Sequence, residues 1–229
     1  DDNAGHSRTE GEAVKRIAAA CALAACAIAA SPALAQHARL FPPENLAQLE
    51  GPDRDAWQRP DQIMDALLIG EGSIVADLGA GGGWFTVRLA RAVGPNGRVY
   101  AEDIQPQMIE AIERRVQRER LKNVQAVLGS PVDPKLPAGS LDAVLIVDAY
   151  HEVEQPVTLL RNVTKALKPS GTIGIVNYKK DGGGPGPSMA ERVDPEKVIA
   201  DARPAGLRLI KRENFLRYQY MLIFGASPK

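Results

Sequence analysis

Short apolar runs alternate with amphipathic segments from residue 60 to the end of the chain, and this alternation limits the folds open to it. Five runs have the length and apolar character of buried strands. They are residues 73–79, 97–104, 123–129, 141–149 and 172–178. Residues 207–214 and 218–227 add two more strands, about one turn apart, which suits an antiparallel pair. The order predicts an α/β fold that is doubly wound around an open, mostly parallel sheet.

Helical patterns fill the intervals between the strands. They are residues 59–72, 84–94, 105–120, 155–167 and 194–206. KPSG at 168–171 predicts a turn, and DGGGPGPS at 181–188 predicts a flexible loop that packs against nothing by itself. Residues 36–58 are proline-rich and irregular, so we divide the chain into a leader (1–35), a lead-in or lid (36–58) and one domain (59–229).

Residues 1–35 have the order of a signal peptide. Lys15 and Arg16 precede the apolar run IAAACALAACAIAA, and the A-x-A site at 33–35 follows it. The run is shorter than a membrane-spanning helix, which needs about 20 apolar residues. We therefore expect cleavage after Ala35 and export to the periplasm. An alanine-rich helix packed on the domain is one alternative; a retained leader or a lipidated Cys26 would instead anchor the protein to a membrane.

The composition narrows the set of partners. Both cysteines, Cys21 and Cys26, lie in the leader, so the chain from Gln36 onward has no thiol for disulfides, nucleophilic catalysis or zinc binding. Twenty-eight basic residues balance 28 acidic ones. Because nucleic acids favour a concentrated positive face, we expect no nucleic-acid partner. We also expect no bound metal and a small-molecule substrate. The oligomeric state is not specified.

The stretch VADLGAGGGWF at 75–85 ends a strand in an acid and then a run of glycines. Glycines permit positive φ and remove the Cβ atoms that would keep a ligand away from the backbone. Ligands of open α/β sheets bind here, at the carboxyl ends of the strands. Asp103 ends the second strand, 26 residues after Asp77, close to the about 20 expected for a carboxylate that reaches a ribose. Asp77 itself would repel a pyrophosphate and suits a ligand with an amine. A tight strand–helix turn without a ligand is the simpler interpretation of the glycines alone.

Three motifs together resemble the class I S-adenosylmethionine-dependent methyltransferases. They are D-x-G-x-G-x-G after the first strand, an acid after the second, and LKPSG before the fifth. The resemblance covers residues 55–229. It implies a Rossmann-like, seven-stranded sheet in the order 3-2-1-4-5-7-6 with the last strand antiparallel. It also implies S-adenosylmethionine as the cofactor and methyl transfer as the reaction.

The same resemblance implies roles for the glycine loop. Asp77 would contact the amino group of the cofactor through a water molecule. The methionine part would be lined by Gly79, Ala80, Gly81 and Gly83.

The neighbouring strand ends would complete the cofactor site. Asp103 would bind the ribose hydroxyls, and Ile104 would pack on adenine. Ser130 stands where many relatives place an acid near the adenine amine, a departure for which Asp133 could compensate. Asp148 would end the fourth strand beside the reactive methyl group.

The candidate catalytic residues are Tyr150 and His151, in the stretch VDAYHEV that closes the fourth strand. A phenol or an imidazole there could deprotonate an acceptor, although methyl transfer depends chiefly on alignment of the reactants. The alternative is structural: His151 would cap the next helix and Tyr150 would pack beneath it.

Two further groups could meet the substrate. Residues that precede the core often form a lid in relatives, and here they include Arg54, Trp57 and Arg59; anchoring of Trp57 in the core is the favoured alternative. The gate candidates beside the glycine-rich loop are Tyr178, Lys179 and Lys180, which a solvated basic loop explains equally well.

Two other functions stay open. An NAD(P)-dependent oxidoreductase would share the first βαβ unit, but the acid in the glycine loop and the terminal strand pair argue against it. A non-catalytic, exported binding module gains support from the conflict between export and a cofactor made in the cytosol. The retained glycine loop and its two acids favour a methyltransferase with a small-molecule acceptor of unspecified atom, although the lack of cysteine disfavours cysteine-based arsenic chemistry.

Overall fold

The computed structural model of the protein describes residues 40–228. The predicted leader, its cleavage after Ala35 and the lipidation of Cys26 lie outside these residues. From Leu40 onward the chain forms a compact unit. None of the helices described between residues 40 and 228 is long and apolar enough to cross a bilayer.

Strands and helices alternate through the described residues as the sequence predicts. The helices are α1 (Arg54–Gln58), α2 (Pro60–Ala66), α3 (Trp84–Val93), α4 (Pro106–Arg118), α5 (Pro156–Ala166) and α6 (Pro195–Ala202). The strands are β1 (Ile74–Leu78), β2 (Arg98–Asp103), β3 (Val124–Leu128), β4 (Leu141–Val147), β5 (Leu167–Tyr178), β6 (Leu207–Glu213) and β7 (Gln219–Ala226). Short 3₁₀ helices occupy Pro43–Leu49, Tyr150–Glu152 and Arg203–Ala205.

The strands form one sheet in the order β3-β2-β1-β4-β5-β7-β6, which confirms the predicted topology. Strands β1 to β5 pair in parallel, and β7 runs antiparallel to both β5 and β6. The chain winds outward from β1 in one direction and then from β4 in the other. A crevice therefore opens between the carboxyl ends of β1 and β4, where such sheets bind ligands.

Alternate residues of the central strands face two separate hydrophobic cores. Val75 packs with α2 and α3 on one face, whereas Ala76 packs with α5 and α6 on the other. In β4, Val144 and Leu145 likewise face opposite cores and are both fully buried. This double burial explains the near-continuous apolar sequence of β4.

Two local predictions are wrong, the first because strand pairing overrides turn-forming composition. Residues 168–171, predicted as a turn, belong to β5, where Leu167 pairs with Leu141 before a shift in register. A Cβ on Gly171 would lie 2.7 Å from the Leu141 carbonyl oxygen, so the glycine serves close strand approach. Residues 36–58, predicted as irregular, contain the 3₁₀ helix Pro43–Leu49 and α1 in their described part.

The glycine-rich loop at 181–188 is not the unpacked loop that its composition predicts. Gly184 and Gly186 lie against the rings of Tyr218 and Tyr178. The guanidinium of Arg192, a residue that is 5% exposed, donates hydrogen bonds to four backbone carbonyls. The acceptors belong to Lys179, Gly183, Pro185 and Pro187, at 2.9–3.2 Å. One buried cation thus holds the loop, a role that composition does not reveal.

Candidate functional site

The glycine loop after β1 has the backbone that its sequence predicts. Gly79, Gly81 and Gly83 have φ values of +70°, +55° and +78°, which disfavour other residues. A Cβ on Gly79 would lie 2.5 Å from the Cβ of Ala149, so the loop packs directly on the segment after β4. Gly83 then caps the N-terminus of α3. The loop backbone therefore lies at the crevice, in contact with the segment after β4.

Asp77 lies beneath this loop and is 2% exposed. Its Oδ2 accepts a hydrogen bond of 2.6 Å from the Thr86 hydroxyl of α3. Burial raises the pKa of Asp77 to about 6, and the bond from Thr86 opposes the rise. Strand β1 and helix α3 together fix this carboxyl at the base of the crevice.

Asp103 joins the glycine loop to the end of β2. Its Oδ2 accepts from the Gly81 amide at 2.9 Å, and its Oδ1 accepts from the Gln105 amide at 3.0 Å. Burial raises the pKa of Asp103, and the bonds from Gln105 and Gly81 oppose the rise. Two residues predicted to bind the cofactor, Gly81 and Asp103, are therefore in direct contact. Ile104 follows them and is half-buried.

Glu102 is a site residue to which sequence reasoning assigned no role. It is 2% exposed, and its Oε2 accepts a long hydrogen bond of 3.4 Å from the Gly79 amide. Its carboxyl fills the space that a side chain at Gly129 would occupy. Burial, reinforced by the charge of Asp103, raises the pKa of Glu102 well above its ordinary value. The sequence offered a signal for this role, because consecutive residues of a strand point to opposite faces of the sheet. Glu102 and Asp103 at the end of β2 were therefore bound to face different surroundings.

Ser130 and Asp133 form a local turn after β3. The Ser130 amide donates to the Asp133 carbonyl at 2.9 Å, and the Asp133 amide donates to the Ser130 hydroxyl at 3.1 Å. The Asp133 carboxylate accepts from the Lys135 amide at 2.9 Å. The structure thus brings the two predicted adenine-site residues together, although the Asp133 side chain serves its own turn.

Asp148 closes β4 with a backbone φ of +55°. Its Oδ1 accepts from the Gln219 amide group at 2.6 Å, and its Oδ2 accepts from that of Gln58 at 3.0 Å. Loss of water contact raises the pKa of Asp148 to about 6, and the charge of Arg54 opposes the rise. Gln58 and Gln219 are fully buried, and no sequence pattern had marked them. The three residues connect α1, β4 and β7.

The two candidate catalytic residues lie in the 3₁₀ helix that follows Asp148. Tyr150 is 3% exposed, and its hydroxyl donates to Asp201 of α6 at 3.0 Å. Burial raises the pKa of Tyr150 above its ordinary value. Nε2 of His151 lies 3.8 Å from Oε1 of Glu152. The phenol is therefore directed to α6, while their catalytic roles stay predictions.

Residues 41–58, the covering segment, cross the carboxyl end of the sheet. The Phe41 amide donates to Glu152 at 3.3 Å, and Gln105 donates to the Phe41 carbonyl at 3.1 Å. The start of the segment thus joins the connections that follow β2 and β4. Glu50, further along, forms an ion pair with Arg115 of α4.

The middle of the covering segment lies on the glycine loop. Cβ atoms added at Gly82 and Gly81 would lie 3.2 Å from Leu46 and 3.9 Å from Leu49. Gly82 is consequently buried, although it belongs to the loop that would receive a ligand.

The end of the covering segment, α1, meets the aromatic residues beside β5. The Trp57 ring is 6.1 Å from the ring of Tyr178 and 6.0 Å from that of Tyr218, between centroids. Trp57 is half-buried. Among the other predicted contacts, Lys179 donates to the Leu216 carbonyl at 2.9 Å. The predicted residues left exposed are Arg59 and Lys180.

Comparison with known proteins agrees with this arrangement. Residues 75–171 match the family model of the methyltransferase domain. A demethylmenaquinone methyltransferase of Geobacillus sp. (strain WCH70) is 28% identical over 113 residues, which are 49% of this chain and 48% of that protein. An uncharacterized methyltransferase of Mycobacterium tuberculosis (strain ATCC 25618 / H37Rv) is 34% identical over 122 residues, 53% of this chain and 46% of that protein. The chain spans about half the length of the curated relatives that it matches.

A solved structure extends the similarity to the whole fold. The S-adenosylmethionine-dependent methyltransferase from Aquifex aeolicus has a TM-score of 0.77 and 26% identity, covering 81% of this chain and 98% of its own. The chain therefore has the class I methyltransferase fold, and the comparisons support S-adenosylmethionine as its cofactor.

Proposed function

We propose that the protein is an S-adenosylmethionine-dependent methyltransferase that acts on a small-molecule acceptor. The observation that carries the proposal is the junction of Gly81 with Asp103, in which the β2 carboxylate and the glycine loop meet at one edge of the crevice. This junction combines bare backbone with a carboxylate, the two features that an adenosine ligand with an amino-acid tail requires.

The residues present fit this cofactor. Gly79 and Gly81 give the loop its left-handed backbone, along which the methionine part would lie. Each Asp103 oxygen accepts one amide and retains lone pairs for the ribose hydroxyls. Asp77 lies below the loop, where a carboxylate favours an amino group. When bound, S-adenosylmethionine supplies a methyl group that is electrophilic because its sulfur is positively charged.

The segment after β4 would orient the acceptor and receive its proton. Asp148 has a pKa of about 6, so it is mostly ionised at neutral pH and suits a base there. His151 and Tyr150 follow it within three residues, and the Asp201 contact of Tyr150 leaves His151 as the better candidate for proton transfer.

The activity for which several relatives are named gives a first acceptor to test. Four of them are demethylmenaquinone methyltransferases. A demethylated naphthoquinol is therefore the first acceptor to offer, followed by phenols and amines, with transfer of a labelled methyl group as the readout.

Calorimetric titration of residues 36–229 tests the cofactor. S-adenosylmethionine and S-adenosylhomocysteine should bind with micromolar affinity, and NAD should not bind. Binding of NAD alone would favour an oxidoreductase. Failure of both sulfur ligands would favour the non-catalytic binding module.

We also propose that residues 1–35 direct export. The sequence of the leader supports this proposal, and fractionation of cells that express the full chain tests it. The periplasmic fraction should contain a protein that begins at Gln36. Recovery of only the full-length chain from the cytosol would contradict export, and recovery from the membrane would favour a retained leader or a lipidated cysteine.

A further inference from the structure

Arg54 of α1 brings a positive charge into the crevice. Its Nε donates to Gln58 and its Nη1 donates to the Leu49 carbonyl, at 2.5 Å each. The guanidinium carbon lies 4.1 Å from the centroid of the Trp84 ring. Because Trp84 directly follows the glycine loop, the guanidinium lies beside the loop.

Two buried acids interact with this charge. Asp77 and Asp148 lie at the carboxyl ends of β1 and β4, and the Arg54 charge favours ionisation of both. Arg192 adds a weaker effect at Asp148. Burial lowers the pKa of Arg54, yet a guanidinium stays protonated in proteins. The base of the crevice thus holds two carboxyls that are offset by a cation of the covering segment.

The cofactor of the proposed function carries its own positive charges. S-adenosylmethionine has an ammonium group, for which Asp77 is the expected partner, and a sulfonium group. A guanidinium fixed beside the glycine loop would repel both, and repulsion between like charges is strong where water is excluded. The positive charges of the cofactor and of Arg54 therefore cannot both be stabilised fully by the two acids.

We propose that Arg54 holds the place of the cofactor's positive charge in the ligand-free protein, and that cofactor binding displaces Arg54 together with α1. The inference rests on the proposed function of the same site. Displacement would also release Gln58 from Asp148 and uncover the β4 end for the acceptor. The covering segment then competes with the cofactor for the same acids, in addition to covering the crevice.

The test compares Arg54→Met with Arg91→Met. Arg91 of α3 forms its ion pair with Glu119, outside the covering segment, and its side chain is 64% exposed. Each variant is titrated with S-adenosylhomocysteine, which retains the ammonium group, and with 5′-methylthioadenosine, which lacks the amino-acid part. Arg54→Met should bind S-adenosylhomocysteine about fivefold to tenfold tighter, as expected when most molecules start in the closed form. Its gain for methylthioadenosine should be at least threefold smaller, and Arg91→Met should change neither affinity more than about twofold.

The outcomes separate this inference from the proposed function. Arg54→Lys retains the charge and should bind both ligands as the unmodified chain does. Weaker binding of S-adenosylhomocysteine by Arg54→Met would overturn the inference, because Arg54 would then hold the cofactor's carboxylate. Equal gains for the two ligands would also overturn it, since Arg54 would only close a steric cover. If neither ligand binds the unmodified chain or any variant, the proposed function fails and the inference fails with it.

Discussion

At the scale of single residues, Asp103 connects two parts of the crevice. The same carboxylate that is expected to bind the ribose also accepts the amides of Gly81 and Gln105. Its loss would therefore remove a ligand contact and loosen the loop that forms the other side of the site.

We predict that Asp103→Ala weakens the binding of S-adenosylhomocysteine by about 1–3 kcal/mol, the scale of lost hydrogen bonds to a charged group. Calorimetry measures the change. Asp133→Ala is the control, because that exposed carboxylate contacts its own turn. Equal affinities for the Asp103 variant and the unmodified chain would contradict the assigned ribose contact.

Position in the sequence explains which site residues could be predicted. Asp77, Asp103 and Asp148 each end an apolar run, so the strand pattern alone places them at the crevice. Gln58 does not follow an apolar run, so the strand pattern does not place it at the crevice. It acquires its role through contacts with partners 90 and 161 residues away in the sequence, and single-chain periodicity carries no signal for such pairs.

At the scale of elements, the glycine-rich loop beside β5 depends on close contact with aromatic rings. Gly183 and Gly184 both have left-handed backbones, with φ of +58° and +72°. A Cβ at Gly184 would meet the Tyr218 ring at 2.5 Å, whereas one at Gly183 would meet nothing within 4 Å. The two neighbours therefore separate backbone strain from steric conflict.

Gly183→Ala should lower the free energy of unfolding by about 1–2 kcal/mol, the cost of a left-handed non-glycine residue. Gly184→Ala should cost about 1–3 kcal/mol more because the loop must leave the Tyr218 ring. Denaturant unfolding gives the free energies, and limited proteolysis should cleave residues 181–188 faster in the Gly184 variant. Identical unfolding and cleavage in the two variants would show that the loop does not rest on that ring.

Elements also show where prediction from sequence failed. The five parallel strands, the helices that pack on them and the final strand pair were predicted because their periodicity is local. The loop at 181–188 was not, since its order comes from Arg192, a residue beyond the loop whose four carbonyl acceptors no pattern reveals. The strand pattern predicted the carboxyl end of the sheet, but it did not predict the segments that cover this end.

At the scale of the whole molecule, the buried acids couple stability to pH. The pKa values of Asp77 and Asp148 rise from an ordinary 3.8 to about 6 on folding. The folded chain therefore binds more protons than the unfolded chain between about pH 4 and 6. Stability is greatest below the unfolded pKa and falls as pH rises through that range. Glu102, with its pKa raised well above the ordinary value, extends the decline to higher pH.

Calorimetric unfolding should show the melting temperature falling as pH rises from about 4 to 6. Each of the two acids contributes on the order of 2 kcal/mol across the window. Asp148→Asn removes one titrating group and should flatten the slope, while Asp61→Asn, at an exposed position of α2, should leave it unchanged. A melting temperature that rises across this window would contradict the raised pKa values.

Both tryptophans of the chain lie where the covering segment meets the domain. Trp57 belongs to the segment and packs on Tyr178 and Tyr218, while Trp84 lies beneath the Arg54 guanidinium. Any movement of α1 must change the surroundings of both indoles at once. The unmodified protein therefore contains its own optical reporter, and rapid-mixing fluorescence can time the opening of the crevice without an added dye.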